Sequence, residues 1–129
     1  MSVWQRAAVA LVLRRLGPGS CTVEQYRLLT VAQKPIDIVV EQCSLFIEVD
    51  GQQHAASSTS FGEATGAQCE RDKQFERGVL ASGGRLLRLH WADVGNWATW
   101  LEAALRRCRQ PGSSFVYYSA SYPPGRRVA

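Results

Sequence analysis

Two short runs rich in β-branched residues, Pro35-Ile36-Asp37-Ile38-Val39-Val40 and Leu45-Phe46-Ile47-Glu48-Val49-Asp50, are separated only by Glu41 to Ser44. A link this short and polar makes the two runs neighbouring strands of an antiparallel meander. Side chains alternate between the faces of a strand, so Glu48 and Asp50 share one face while Ile47 and Val49 share the other. Pairing of the two strands brings Asp37 beside them. Three carboxylates on one patch repel each other, and a divalent cation accepting oxygen ligands relieves that repulsion. Asp37 also sits inside an otherwise apolar run, where a carboxylate without a partner is costly. Acidic residues before a glycine are commonly solvated turn residues, which is the plain alternative for Glu48-Val49-Asp50-Gly51. Gly51 permits a sharp exit from the strand and delivers His54 to the same end of the sheet.

These residues resemble a known family. Ile36-Asp37-Ile38, then Phe46-Ile47-Glu48-Val49-Asp50-Gly51-Gln52-Gln53-His54, then Arg71-Asp72 and Gly84-Arg85-Leu86-Leu87-Arg88-Leu89, look like the Vsr-like branch of the PD-(D/E)XK nucleases. The branch includes very-short-patch-repair endonucleases, and the RAP domain of organellar RNA-processing proteins is a relative. The similarity spans residues 2–108 in element order, with the Glu-Val-Asp-Gly-x-x-His core its specific part. The resemblance implies a restriction-endonuclease-like α/β fold: helix, three-stranded antiparallel meander, helix, strand, helix. It implies that Asp37 and Glu48 bind Mg²⁺ or Mn²⁺, with Asp50 as a direct or water-mediated ligand where most of the superfamily has lysine. His54 then takes over proton transfer or water orientation. Many members carry a glutamate on the first helix in a Ser-x-x-Glu pattern, whereas Ser2-Val3-Trp4-Gln5 places Gln5 there. An amide cannot act as a base or bind a metal as a carboxylate does.

The chain has 129 residues, 46% of them hydrophobic and 20% charged, enough for one globular domain with a core. A formal net charge of +4 favours a polyanionic partner without requiring one. The four cysteines, Cys21, Cys43, Cys69 and Cys108, contain no CxxC pair, so neither a zinc ribbon nor a redox dithiol is written in the spacing. They read as reduced thiols of an intracellular protein, in the cytoplasm or in a eukaryotic organelle. No apolar run approaches the length of a membrane span. Residues 1–23 hold Arg6, Arg14 and Arg15 and no acid, as a transit peptide would, yet they also suit the first helix of the fold.

In chain order, Ser2 is a helix N-cap, and Trp4, Ala7, Ala8 and Leu11 recur at helical spacing until Gly17-Pro18-Gly19. Thr22 to Ala32 suits a first strand. Residues 55–68 are small and polar without periodicity and read as a loop, either a flap over the acidic cluster or an inert insertion. A helix from Cys69 to Ala81 puts Asp72, Phe75 and Val79 on one face and Arg71, Lys73, Glu76 and Arg77 largely on others. Arg71, Lys73 and Arg77 are candidate phosphate contacts, although such charges are more often a solvated face. In the strand Arg85 to Trp91, Arg88 is placed to pair with the acidic patch or with phosphate, and His90 reads as structural. A last helix covers about Val94 to Arg107, closing a domain of residues 1–110. Residues 111–129 form a basic, aromatic tail. Its Phe115-Val116-Tyr117-Tyr118 could add an edge strand or stack on bases, and a frayed terminus is the commoner behaviour.

The function expected is metal-dependent hydrolysis of phosphodiester bonds in DNA or RNA, with no membrane partner. A RAP-like domain that binds RNA without cutting it is the alternative.

Overall fold

The computed structural model describes residues 1–26, 35–52 and 63–128; the side chains of 25, 26 and 63–68 are outside that description. Ser2 opens helix α1 (Val3–Leu16) through a reciprocal capping box with Gln5, and Gly17 closes it at a φ of 97°. Strands β1 (Cys21–Tyr26), β2 (Pro35–Val40) and β3 (Leu45–Asp50) follow. Helix α2 (Glu63–Ala81), β4 (Arg85–His90), α3 (Trp97–Cys108) and β5 (Phe115–Tyr118) complete the chain.

The strands form one five-stranded mixed sheet in the order β1-β2-β3-β4-β5. β1, β2 and β3 are an antiparallel meander, whereas β3 to β4 and β4 to β5 are parallel. Parallel neighbours need long crossovers, and α2 and α3 supply them. One face of the sheet, through Ile38, Val40, Leu45, Ile47, Leu87 and Leu89, packs against Ala8 and Val12 of α1 and Leu101 and Leu105 of α3. The other face, through Ile36, Val39, Leu86 and Val116, packs against Phe75 and Val79 of α2. The protein is therefore α/β, with helices on both faces of a mixed sheet. Among the described residues no helix is long and apolar enough to cross a membrane.

The structure differs from the sequence reading at three places. Helix α2 begins at Glu63, so 63–68 belong to it rather than to a loop. Ala64, Thr65, Gly66 and Ala67 carry too little apolar surface to mark a helical stripe. The last α-helix starts at Trp97, because Trp91–Asn96 winds as a 3₁₀ turn capped by His90, whose side chain accepts from the Ala92 N–H. Residues 115–128 do not fray, and the edge-strand alternative for Phe115 to Tyr118 is the one realised: β5 pairs with β4 from Arg85↔Phe115 to Arg88↔Tyr118, and Tyr122 and Arg126 beyond it are each 5% exposed. The expected strand residues 27–32, and 55–62 of the expected flap, lie outside the described residues.

Candidate functional site

The β2–β3 ladder ends early. It runs from Val40↔Leu45 to Ile38↔Ile47, although β3 continues to Asp50 alongside β4. On the other side of β2 the register passes from Val23↔Ile38 to Gln25↔Ile36, leaving Glu24 and Asp37 out of the pairing, and Glu24 has a φ of 51°. A positive φ in a non-glycine residue marks a local distortion. Its effect is visible in the core: Ile36 and Ile38, two residues apart, pack on opposite faces of the sheet.

Asp37 stands in the resulting opening. Its Oδ2 accepts from the Val49 N–H at 2.9 Å, replacing a main-chain ladder bond with a side-chain one. Its Oδ1 accepts from Gln5 Nε2 at 2.9 Å. Gln5 uses both ends of its amide, since its Oε1 also accepts from the Ser2 N–H at 2.8 Å. A glutamate could make the second of these bonds but not the first, because a carboxylate has no proton to donate. The first turn of α1 is thereby fastened to the open end of the sheet. Trp4 reinforces the join, with its Cδ1 3.1 Å from where a Cβ on Gly51 would stand.

Glu48 lies beside this opening on β3, in register with Arg88, and is 4% exposed. Asp50 shares its face but is engaged elsewhere. Arg88 Nη1 lies 3.4 Å from Asp50 Oδ2, and the Tyr122 hydroxyl donates to the same oxygen. Arg88, 1% exposed, also pairs with Glu76 and with Asp72. Arg126 reaches the same group, donating from Nη1 and Nη2 to Glu76 at 3.0 and 2.7 Å and lying 3.4 Å from Asp72. Tyr118 donates its hydroxyl to Glu76. Three carboxylates and two guanidiniums thus form a buried ionic cluster between the sheet and α2, as buried charge requires.

Burial works against the Arg88 charge, but Asp50, Glu76 and Asp72 overcome it and hold the guanidinium cationic. Burial, and next the Asp50 charge, push the Tyr122 phenol well up, which keeps it a proton donor. Of the two pairings open to Arg88, the acidic one is realised, and its burial removes it from the phosphate-contacting set. Glu76, expected away from the packed face, is at 0% exposure the centre of the cluster. Of the remaining basic candidates, Arg71 and Arg77 are exposed on α2, and Lys73 is half-buried there. Arg77 lies 3.3 Å from Glu70. His54 lies outside the described residues. His90 is structural: its N–H donates to Ser119 Oγ and its carbonyl accepts from Trp97 Nε1.

The opening therefore brings Asp37 and Glu48 to one end of adjacent strands and gives Asp50 to the ionic cluster. Among the described residues, no three His, Cys, Asp or Glu side chains are grouped to hold a metal ion. Tyr118, Tyr122 and Arg126 were not legible as site neighbours, because contacts 42 to 72 residues apart leave no local pattern. No family model, curated protein or solved structure matches the chain. Its class rests on its own architecture: an α/β protein with a distorted, carboxylate-lined opening between the second and third strands of a five-stranded mixed sheet.

Proposed function

We propose that this protein is a metal-dependent nucleic-acid phosphodiesterase with a restriction-endonuclease-like topology. The observation that carries the reading is the opened β2–β3 ladder, where Asp37 takes the Val49 N–H and Glu48 stands on the adjoining strand. Each Asp37 oxygen has a second lone-pair direction beyond the donor it already accepts, so the carboxylate retains capacity for a cation. Asp37 and Glu48 fit Mg²⁺ or Mn²⁺, ions that take one or two carboxylates and keep several waters. A cation held there supplies charge stabilisation at the phosphoryl group and a more acidic water.

The chain's own residues do the rest. Val49 N–H and Gln5 fix the Asp37 carboxylate in one orientation. Asp50, tied to Arg88 and Tyr122, acts through the electrostatics of the site rather than as a direct ligand. His54 is assigned proton transfer, and Arg71, Lys73 and Arg77 of α2 the phosphate backbone. The partner is DNA or RNA.

A RAP-like domain that holds RNA without cutting it is the second reading, favoured by the Gln5 hydrogen bond to Asp37. Incubation with supercoiled DNA and with a structured RNA, in Mg²⁺, Mn²⁺ or EDTA, separates the two. Cleavage that requires the divalent ion and disappears in a folded Glu48→Ala variant is the expected result. A folded Glu48→Ala protein that still cuts would overturn the site. Intact polymers with salt-sensitive RNA retention would favour the binding domain.

A further inference from the structure

Cys43 ends the 3₁₀ turn Glu41–Cys43 between β2 and β3, and Cys108 ends α3. Sixty-odd residues apart in sequence, they line one cavity of about 420 Å³ together with Arg15, Gln42, Leu105 and Arg109. The two thiols stand near enough for each to shift the titration of the other. Arg85 stands behind both, donating from Nη1 to the Cys43 carbonyl at 2.7 Å, and its charge favours the thiolate at either sulfur. Both thiols are half-buried, and neither is in a disulfide. The cavity keeps them reachable from solvent.

We propose that Cys43 and Cys108 form a reactive dithiol, a modification site at which hydrogen peroxide oxidises the pair to a disulfide. The neighbouring Cys108 lowers the Cys43 thiol to about 7 against the effect of burial, assisted by the Leu45 N–H and the Arg85 charge. Cys43, with burial, raises Cys108 in turn. The charged groups around the pair are Arg85 from β4, Arg15 from α1 and Arg109 after α3, with Glu102 paired to Arg15. Cys43 is assigned the nucleophile's part and Cys108 the resolving thiol's.

The Cys43 thiolate attacks one peroxide oxygen, the O–O bond breaks, and hydroxide leaves and is protonated to water. Cys43 becomes a sulfenic acid, oxidised by two electrons as the peroxide is reduced. Cys108 then attacks the Cys43 sulfur, the S–O bond breaks, and a second water leaves with the Cys108 proton. The product joins the β2–β3 turn to the end of α3 by a bond of about 2.05 Å. The spacing of the cysteines in sequence carries no trace of this pair. Only the fold brings them together.

The test uses the reduced 129-residue chain and hydrogen peroxide as probe, at about pH 7.5. Free thiols should fall from four to two, and unreduced peptide mapping should join the Cys43 and Cys108 peptides within one chain. In Cys108→Ser the reaction should stop at a Cys43 sulfenic acid that a dimedone probe captures. Burial raises Cys21, so the pH midpoint for alkylation of Cys43 should lie well below that of Cys21. Peroxide loss spread equally over Cys21 and Cys69, or linkage between chains with no intrachain product, would overturn the proposal. The wild-type map decides the matter even if a serine variant does not fold.

Discussion

Arg126→Ala should unfold this protein far more readily than its place beyond the last strand suggests. The guanidinium is 5% exposed and makes two charge-assisted hydrogen bonds to Glu76, at 3.0 and 2.7 Å. Each such bond contributes about 1.5–3 kcal/mol. Removing one partner of a buried ion pair costs about 3–5 kcal/mol, because the other charge remains buried. Here Asp50, Asp72 and Glu76 would share the single guanidinium of Arg88 in the described cluster. The two estimates converge on about 3–5 kcal/mol, which lowers Tm by roughly 10–20 °C in a domain of this size. Urea denaturation followed by circular dichroism measures the loss, with an unchanged slope establishing that stability alone has moved. Adding Glu76→Gln to the Arg126→Ala protein should recover part of it by removing a stranded charge. A loss under about 1 kcal/mol, the range of ordinary surface substitutions, would refute the reasoning.

Tyr122→Phe removes the hydroxyl that donates to Asp50 and should cost about 1.5–3 kcal/mol in the same assay; a change within about 0.5 kcal/mol would mean that Asp50 does not need it. Asp93 gives a pH signature. Burial alone would raise its carboxyl, but Ser119 and the two hydrogen bonds from Ser121 outweigh it and hold it below the ordinary range. A depressed folded pKa stabilises the native state above the unfolded value and is lost as pH falls through the folded one, so Asp93→Asn should flatten the acid limb of stability below about pH 4. An unchanged acid limb in that variant would remove Asp93 from the account.

The strands around Asp37 and Glu48 were legible because Ile, Val and Phe alternate there with carboxylates at a period of two. The shared face of Glu48 and Asp50 followed from that period. The fates of the two residues did not. Asp50 is claimed by Arg88, whose partnership with an acid was one of two readings its sequence allowed, and by Tyr122, 72 residues away. Glu76 was hidden for a related reason. A buried glutamate looks like any helical surface charge until Arg88 and Arg126 arrive from other elements. Gln5 was visible as a departure from a pattern, but its double use of one amide could be seen only once α1 lay across the open end of the sheet.

The ionic cluster also implies an order of assembly. Arg88 and Glu76 lie 12 residues apart and can meet as soon as α2 and β4 dock, whereas Tyr122 must find Asp50 across 72. Closing the longer loop costs about 1.6 kcal/mol more in chain entropy. On loop-closure entropy alone, the Arg88–Glu76 contact is the cheaper of the two to form, and the Tyr122–Asp50 contact depends on residues 119–128 being held in place by the rest of the fold.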